Sequence, residues 1–275
     1  MLDLHCHLLP ATDDGAVDLA MSLAMARMAV ADGIHTTACT PHIYPGVYDN
    51  NGDAIRSAIA SLQAELDREG IALRLVDGAD AHLDPDLPEG LRSGRVPTIA
   101  GSRYLLLEPP HHVAPPRFEE SVFTLMTIGY VPVITHPERL TWVETHYALF
   151  ERLAERGAWM QITSGALTGR FGRRVKYWGD RFVADGHAMI LATDGHHPER
   201  RPPLLAEGRD AAAALVGAEE AGHMVTTRPA GIVADIAPDR LPPPLAKVDG
   251  FGPVKARGGE SGGALRRLMR SLRGR

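Results

Sequence analysis

The sequence predicts an α/β barrel of seven parallel strands, and three observations lead there. Seven short apolar runs alternate with segments of helical periodicity, the pattern of parallel strands joined by crossover helices. Most of these runs end in His, Asp or Glu, so the chemistry-bearing side chains fall at the C-terminal ends of the strands. In a closed barrel those ends meet on one rim, whereas an open doubly wound sheet would spread them along an edge many ångströms long. Only closure gathers them into one cluster. A chain of 275 residues can fill such a barrel as a single domain.

The first run is Asp3-Leu4-His5-Cys6-His7, where alternation should place both histidines on one face and Leu4 with Cys6 on the other. A loop carrying Asp13, Asp14 and Gly15 leads to a helix over residues 16–31, closed by Gly33. Residues 36–40 form the second run, which passes through Pro41 to His42 and into a turn-rich loop over 44–52. A helix over 53–68 carries Ala58, Leu62 and Leu66 on one stripe, and the third run, 73–76, leads to Asp80. A short helix near Pro85 and Pro88 precedes the fourth run, 104–108, which ends at Glu108. After a Pro-rich loop come a helix over 118–128 and the fifth run, 131–136, ending at His136 before Pro137-Glu138-Arg139. A helix over 147–156 and the sixth run, 159–164, follow. The glycine-rich stretch 165–172 lacks the Gly-Lys-Ser/Thr ending of a phosphate cradle and reads as a strand-to-helix loop at the rim. A last helix over 173–184 precedes the seventh run, 188–193, which ends in Asp194-Gly195-His196.

The convergent set is His5, His7, Asp14, His42, Asp80, Glu108, His136, Asp194 and His196. Burying carboxylates beside imidazoles costs several kcal/mol per ion unless cations neutralise them, and this set calls for about two or three divalent ions. Nitrogen and oxygen donors without thiolate suit Mn, Fe or Zn better than Ca or a structural cysteine-type site. His111, His112, His146 and His197 lie in loops, where surface placement is expected and bordering the cleft is the alternative, and His35, His82, His187 and His223 are expected as structural or exposed residues. A formal net charge of -5 argues against nonspecific nucleic-acid binding. Two cysteines inside apolar runs offer no disulfide framework and fit a reducing cytoplasm, the expected location; no leader or membrane span is expected. Residues 1–241 read as one domain and 242–275 as a flexible basic tail. In that tail Leu265, Leu268, Met269 and Leu272 share a helical stripe flanked by arginines, which would suit an anionic membrane if the segment is not simply solvated.

The ordered combination of Asp3-Leu4-His5-Cys6-His7-Leu8-Leu9-Pro10, Asp13-Asp14-Gly15-Ala16, Thr40-Pro41-His42, Thr135-His136-Pro137-Glu138-Arg139 and Thr193-Asp194-Gly195-His196 resembles the polymerase and histidinol phosphatase (PHP) superfamily. It is most similar to the manganese-dependent protein-tyrosine phosphatases of capsular and exopolysaccharide operons, over about residues 1–240. The resemblance implies a distorted seven-stranded barrel of the PHP type. It implies that His5, His7, Asp80 and Asp194 hold one metal, that Asp80 bridges to a second held by Glu108 and His136, and that Asp14, His42 and His196 hold a third. Manganese would be the resident ion, with Fe or Zn as alternatives. Arg139 and Arg201 match the family's phosphoryl-gripping arginines, with Arg200 the adjacent alternative. The implied substrate is a phosphotyrosine-bearing protein such as a bacterial tyrosine kinase of polysaccharide assembly. A phosphatase of a small metabolite such as histidinol phosphate, or a non-catalytic phosphotyrosine-binding regulator, are the alternatives. The bridging position is typically Glu, and the shorter Asp80 implies a wider metal pair or a displaced third strand.

Overall fold

Every apolar run of the sequence becomes a strand, but two of them break. The computed structural model describes residues 1–246. β1 (Leu2–Cys6), β2 (Thr36–Cys39) and β4 (Arg74–Asp77) form one parallel sheet in the order β1-β2-β4. A second sheet runs β3 (His42–Ile43), β5 (Asp80–His82), β6 (Tyr104–Glu108), β7 (Val131–Thr135), β8 (Trp159–Thr163) and β9 (Ala188–Ala192). The expected second and third strands are therefore each divided, β2 from β3 and β4 from β5. Pro41 has no N–H to continue the ladder, and Gly78 lies at the other break, where an added Cβ would press on Thr40 at 3.0 Å. The breaks turn His42 and Asp80 into a separate register pair. At the other margin a bridge links Cys6 to Gly195, supported by bonds from the His7 N–H to Gly195 O and from the Asp194 N–H to His5 O.

Helices α1 (Leu19–Ala31), α2 (Gly52–Arg68), α3 (Leu87–Arg92), α4 (Phe118–Thr127) and α5 (Val143–Glu155) connect successive strands. α6 (Ser164–Leu167) and α7 (Arg173–Ala184) follow β8, and α8 (Ala206–Val216), α9 (Ala218–Gly222) and α10 (Arg228–Val233) follow β9. α1 begins at Leu19 rather than at 16 because the Asp18 side chain accepts from the Met21 N–H and caps it. α5 begins at Val143 rather than 147, and residues 164–167 form a helical turn where strand and loop were expected. α8–α10 were not among the expected elements.

The core has two parts. Between strands and helices lies a cluster that includes Cys6, Leu62, Phe118, Phe150 and Phe182. A second cluster joins Leu2, Leu4, Tyr104, Leu106, Val133 and Trp159 to Ile232 of α10 and to Leu241. Leu4 and Cys6 thus enter different clusters, against simple alternation. The pairing of β1 with β2 shifts register between Asp3 and Cys6, and this irregularity re-aims the side chains. No helix among the described residues is long and apolar enough to cross a membrane. The basic helical stripe expected in the tail lies outside the described residues.

Candidate metal centre

Five imidazoles and four carboxylates meet where the strands end. His5 Nε2 lies 3.2 Å from His7 Nε2, 3.4 Å from Asp80 Oδ2 and 3.5 Å from Asp194 Oδ1. His42 reaches Glu108 at 3.3 Å, Asp80 at 3.6 Å and Asp14 at 3.5 Å. His136 Nε2 lies 3.6 Å from Glu108 and 3.9 Å from Asp80, and His196 Nε2 lies 3.3 Å from Asp14. All nine expected residues therefore come together. Asp14, half exposed, forms the outer edge, while His5 and Asp80 are wholly buried. His136 and Asp194 both take left-handed backbone at strand ends, with φ of 36° and 51°, rare for non-glycine residues and typical of functional sites.

The supporting contacts decide which nitrogen of each ring faces inward. His5 Nδ1 donates to Gln161 Oε1 at 2.8 Å, and His7 Nδ1 donates to Asp13 Oδ2 at 2.6 Å. His196 Nδ1 donates to the carbonyl of Asp194 at 2.9 Å. In each case the acceptor holds a proton on Nδ1 and turns Nε2 into the cluster, the orientation of metal-binding imidazoles. Asp13 also accepts from the N–H groups of His42 and Gly15, so one carboxylate organises two histidines and the loop. Gly15 is required beside it, because a Cβ there would lie 2.2 Å from His7 O.

Charge in the cluster is unbalanced without cations. Burial would raise the Asp194 carboxyl, but Arg201, His5 and Arg139 hold it well below the usual range. Burial and the neighbouring Glu108 would raise Asp80, and His5 and His136 overcome them. Burial would lower His5, yet Asp80 and Asp194 push it up to about 9; His42 rises to about 10 when the hydrogen bond to Glu108 and the charge of Asp80 outweigh its burial. Burial with Arg139 lowers His136 to about 4, and burial with His7 lowers His196 to about 4. Asp80 Oδ2 and His196 Nε2, both facing the cluster, are buried without a hydrogen-bond partner. Orphaned donor atoms converging among buried acids fit a group of divalent cations.

Several sets of three or more ligand atoms are close enough to hold an ion: His7, Asp14, His42 and His196; His5, His7 and Asp80; His5, His136 and Asp194; His42, Asp80 and Glu108. A further set joins His111 to Glu108 and His136. His111, expected at the surface, instead lies 3.3 Å from Glu108, and its ring is 4.9 Å from that of His136. His82, expected to be structural or exposed, stacks on Tyr44 at 3.8 Å and approaches Glu108 at 3.9 Å. Both follow from Glu108, which draws four imidazoles, those of His42, His82, His111 and His136. Arg139 and Arg201 both donate to Asp194 Oδ2, and Arg139 lies over the Phe171 ring at 5.0 Å. Arg200 is exposed. Asp13 and Gln161 are supporting residues outside the expected set. An acid adjoining a ligand acid was the available signal for Asp13.

The model of the family described as capsular polysaccharide synthesis, CpsB/CapC, matches residues 1–234. The chain is 38% identical over 201 residues to the tyrosine-protein phosphatase YwqE of Bacillus subtilis, covering 73% of this chain and 79% of that protein. It is 25% identical over 240 residues to the tyrosine-protein phosphatase CpsB of Streptococcus pneumoniae, covering 86% of this chain and 99% of that one. The fold matches a crystal structure from work on YwqE and CpsB, described as metal-dependent tyrosine phosphatases, with a TM-score of 0.84 and 34% identity over 90% of this chain and 99% of the other.

Proposed function

The chain belongs to the capsular polysaccharide synthesis CpsB/CapC family, and on that premise we propose that it is a metal-dependent protein-tyrosine phosphatase. The observation that carries the reading is the meeting of nine buried or rim ligands with two guanidinium groups at Asp194. Its physiological substrate is a phosphotyrosine-bearing protein, a bacterial tyrosine kinase of polysaccharide assembly, met in the cytoplasm. The two sheets act as one distorted seven-stranded barrel of the PHP type, sealed at the β1–β9 seam. Residues 1–241 form the catalytic unit, and 242–275 an appended tail.

His5, His7, Asp80 and Asp194 hold one ion, Glu108 and His136 with Asp80 a second, and Asp14, His42 and His196 a third, with manganese as the resident metal. When bound, such ions supply Lewis acidity to phosphoryl oxygens and acidify a water toward neutrality. The protein's own groups do the rest. Asp13 and Gln161 engage the Nδ1 atoms of His7 and His5 and so turn the Nε2 atoms toward the ions. Arg139 and Arg201 grip the equatorial oxygens, where planar forks suit a phosphoryl group. Arg201 Nε is buried and unpartnered, so a donor remains for an anionic oxygen. The water oxygen bonds to phosphorus as the bond to the tyrosine oxygen breaks, and the phenolate leaves to take up a proton. Neither cysteine takes part: Cys6 packs in the outer core, and burial raises its thiol well above the ordinary value.

Turnover of p-nitrophenyl phosphate and of phosphotyrosyl peptide, dependent on added Mn and abolished by chelation, is the expected result. Metal binding without turnover of either would make the chain a phosphotyrosine-binding regulator instead. Turnover confined to a small alkyl phosphate would favour the metabolite phosphatase.

A further inference from the structure

Beside the metal centre opens a pocket of about 380 Å³, and its walls are chemically unlike its floor. Its apolar lining is Tyr44, Val47 and Tyr48 from one loop and Pro110 and Val113 from another, and four histidines with Glu108 complete it. The floor contains His42 and Glu108, both members of the ligand cluster. Three of the apolar wall residues stand in water: Tyr44 is 39% exposed, Val47 59% and Val113 68%. Scattered exposed apolar residues need no explanation, but these three line a single opening over the reactive groups. The larger hollow of about 890 Å³, lined by Phe118, Phe123 and Leu149 among others, contains none of the cluster.

We propose that this pocket is the subsite for the aromatic ring of the phosphorylated tyrosine, with Val47 and Val113 as the residues that select an aryl ester over an alkyl one. The inference rests on the phosphatase reading and adds to it the source of substrate choice. A phosphate held by the cations and arginines must project its ester group away from the floor, and this apolar opening adjoins that floor. Its volume, and a lining that sets aromatic and aliphatic side chains beside imidazoles, match small-molecule sites. A flat ring can lie against the Tyr and Val side chains, gaining burial and offset stacking. An alkyl phosphoester such as phosphoserine presents too little apolar surface to reach the walls.

The walls are held in place rather than loose. The 44–48 turn closes on itself, with the Tyr48 N–H bonding to Tyr44 O at 2.8 Å and the Tyr44 N–H to Tyr48 O at 3.0 Å. Asn50 Nδ2 donates to His42 O, tying that turn to a ligand strand. Opposite, Trp142 Nε1 donates to Pro110 O, and Thr141 donates to the carbonyls of His111 and His112. Walls fixed on both sides lower the ordering cost of binding.

The test uses the full chain loaded with Mn and two non-hydrolysable probes, phenylphosphonate and methylphosphonate, with affinities measured by calorimetry. Wild type should bind the phenyl probe about tenfold more tightly, the worth of one well-buried apolar group. A Val47→Asn, Val113→Asn double variant, neutral and confined to exposed positions, should bring the ratio of the two affinities to near one. Wild type that binds methylphosphonate but shows no phenyl preference overturns the subsite while leaving the phosphatase reading intact. A preference that survives in the double variant overturns the assignment to these residues. Absence of binding by either probe, together with no turnover of p-nitrophenyl phosphate, overturns the phosphatase reading and the subsite with it.

Discussion

Two buried charge clusters sit along the same strand, β9, and they are solved in opposite ways. At its start Arg228, fully buried, donates Nη1 to Met189 O, Nε to Pro242 O, and Nη2 to Pro243 O and Glu220 Oε2. Its Nη1 also pairs with Glu220 at 2.8 Å. Neither residue of this pair has a buried atom lacking a partner. Past the end of β9, around Asp194, the protein's own groups do not suffice: Asp80, His136, His196 and Arg201 each leave a buried polar atom without a hydrogen bond. A charge pair that closes on itself belongs to the fold. A cluster that stays open belongs to a ligand.

The largest expected effect lies at the closed pair. Arg228→Ala leaves Glu220 buried and uncompensated and should cost about 3–5 kcal/mol in denaturant unfolding, with metal content per folded chain preserved. Replacing both partners by apolar residues of similar volume should recover most of that loss. A small cost for the single variant would show that solvent reaches Glu220 and would blur the contrast between the two ends.

Next comes the open cluster. Arg139→Ala should depress kcat by about 10²–10³-fold, the range for removing a donor to developing charge, while elemental analysis finds the metals retained. Loss of metal in proportion to activity would place Arg139 among the groups that hold the cluster together. A smaller effect is expected one contact further out. Gln161→Ala frees the His5 ring to turn and should weaken Mn binding by about 10–100-fold without unfolding the chain.

How much of this was legible in the sequence follows from where each residue's role is encoded. Ligands at the ends of apolar runs, such as Glu108 after residues 104–107 and His136 after 131–135, announce themselves locally, since the strand and its last residue are read together. Gln161 sits inside a strand with apolar neighbours, and only the fold reveals that its amide meets His5 across 156 residues of chain. The place of His111 at the cleft rather than on the open surface has the same origin: its partner is Glu108, and that proximity is tertiary. α8 escaped notice because its buried face is small, Gly208 and Ala212, giving little apolar contrast. The breaks at Pro41 and Gly78 were visible as residues, but that they would divide two strands between sheets was not.

The claim that the open cluster is built for cations is tested most directly by titrating chelator-stripped protein with Mn in buffers of different ionisation enthalpy. In the stripped protein His5 and His42 have pKa values raised to about 9 and about 10, so both carry a proton at neutral pH. Because these folded values lie above the unfolded one of about 6.5, they stabilise the stripped chain below that pH and cease to as pH rises through 9–10. Metal must displace those protons to reach the lone pairs. At about pH 7.5 the account predicts more than one Mn per chain and a net release of protons, the release falling as pH rises through 9–10. Saturation with no proton released, or no uptake of Mn at all, would contradict it.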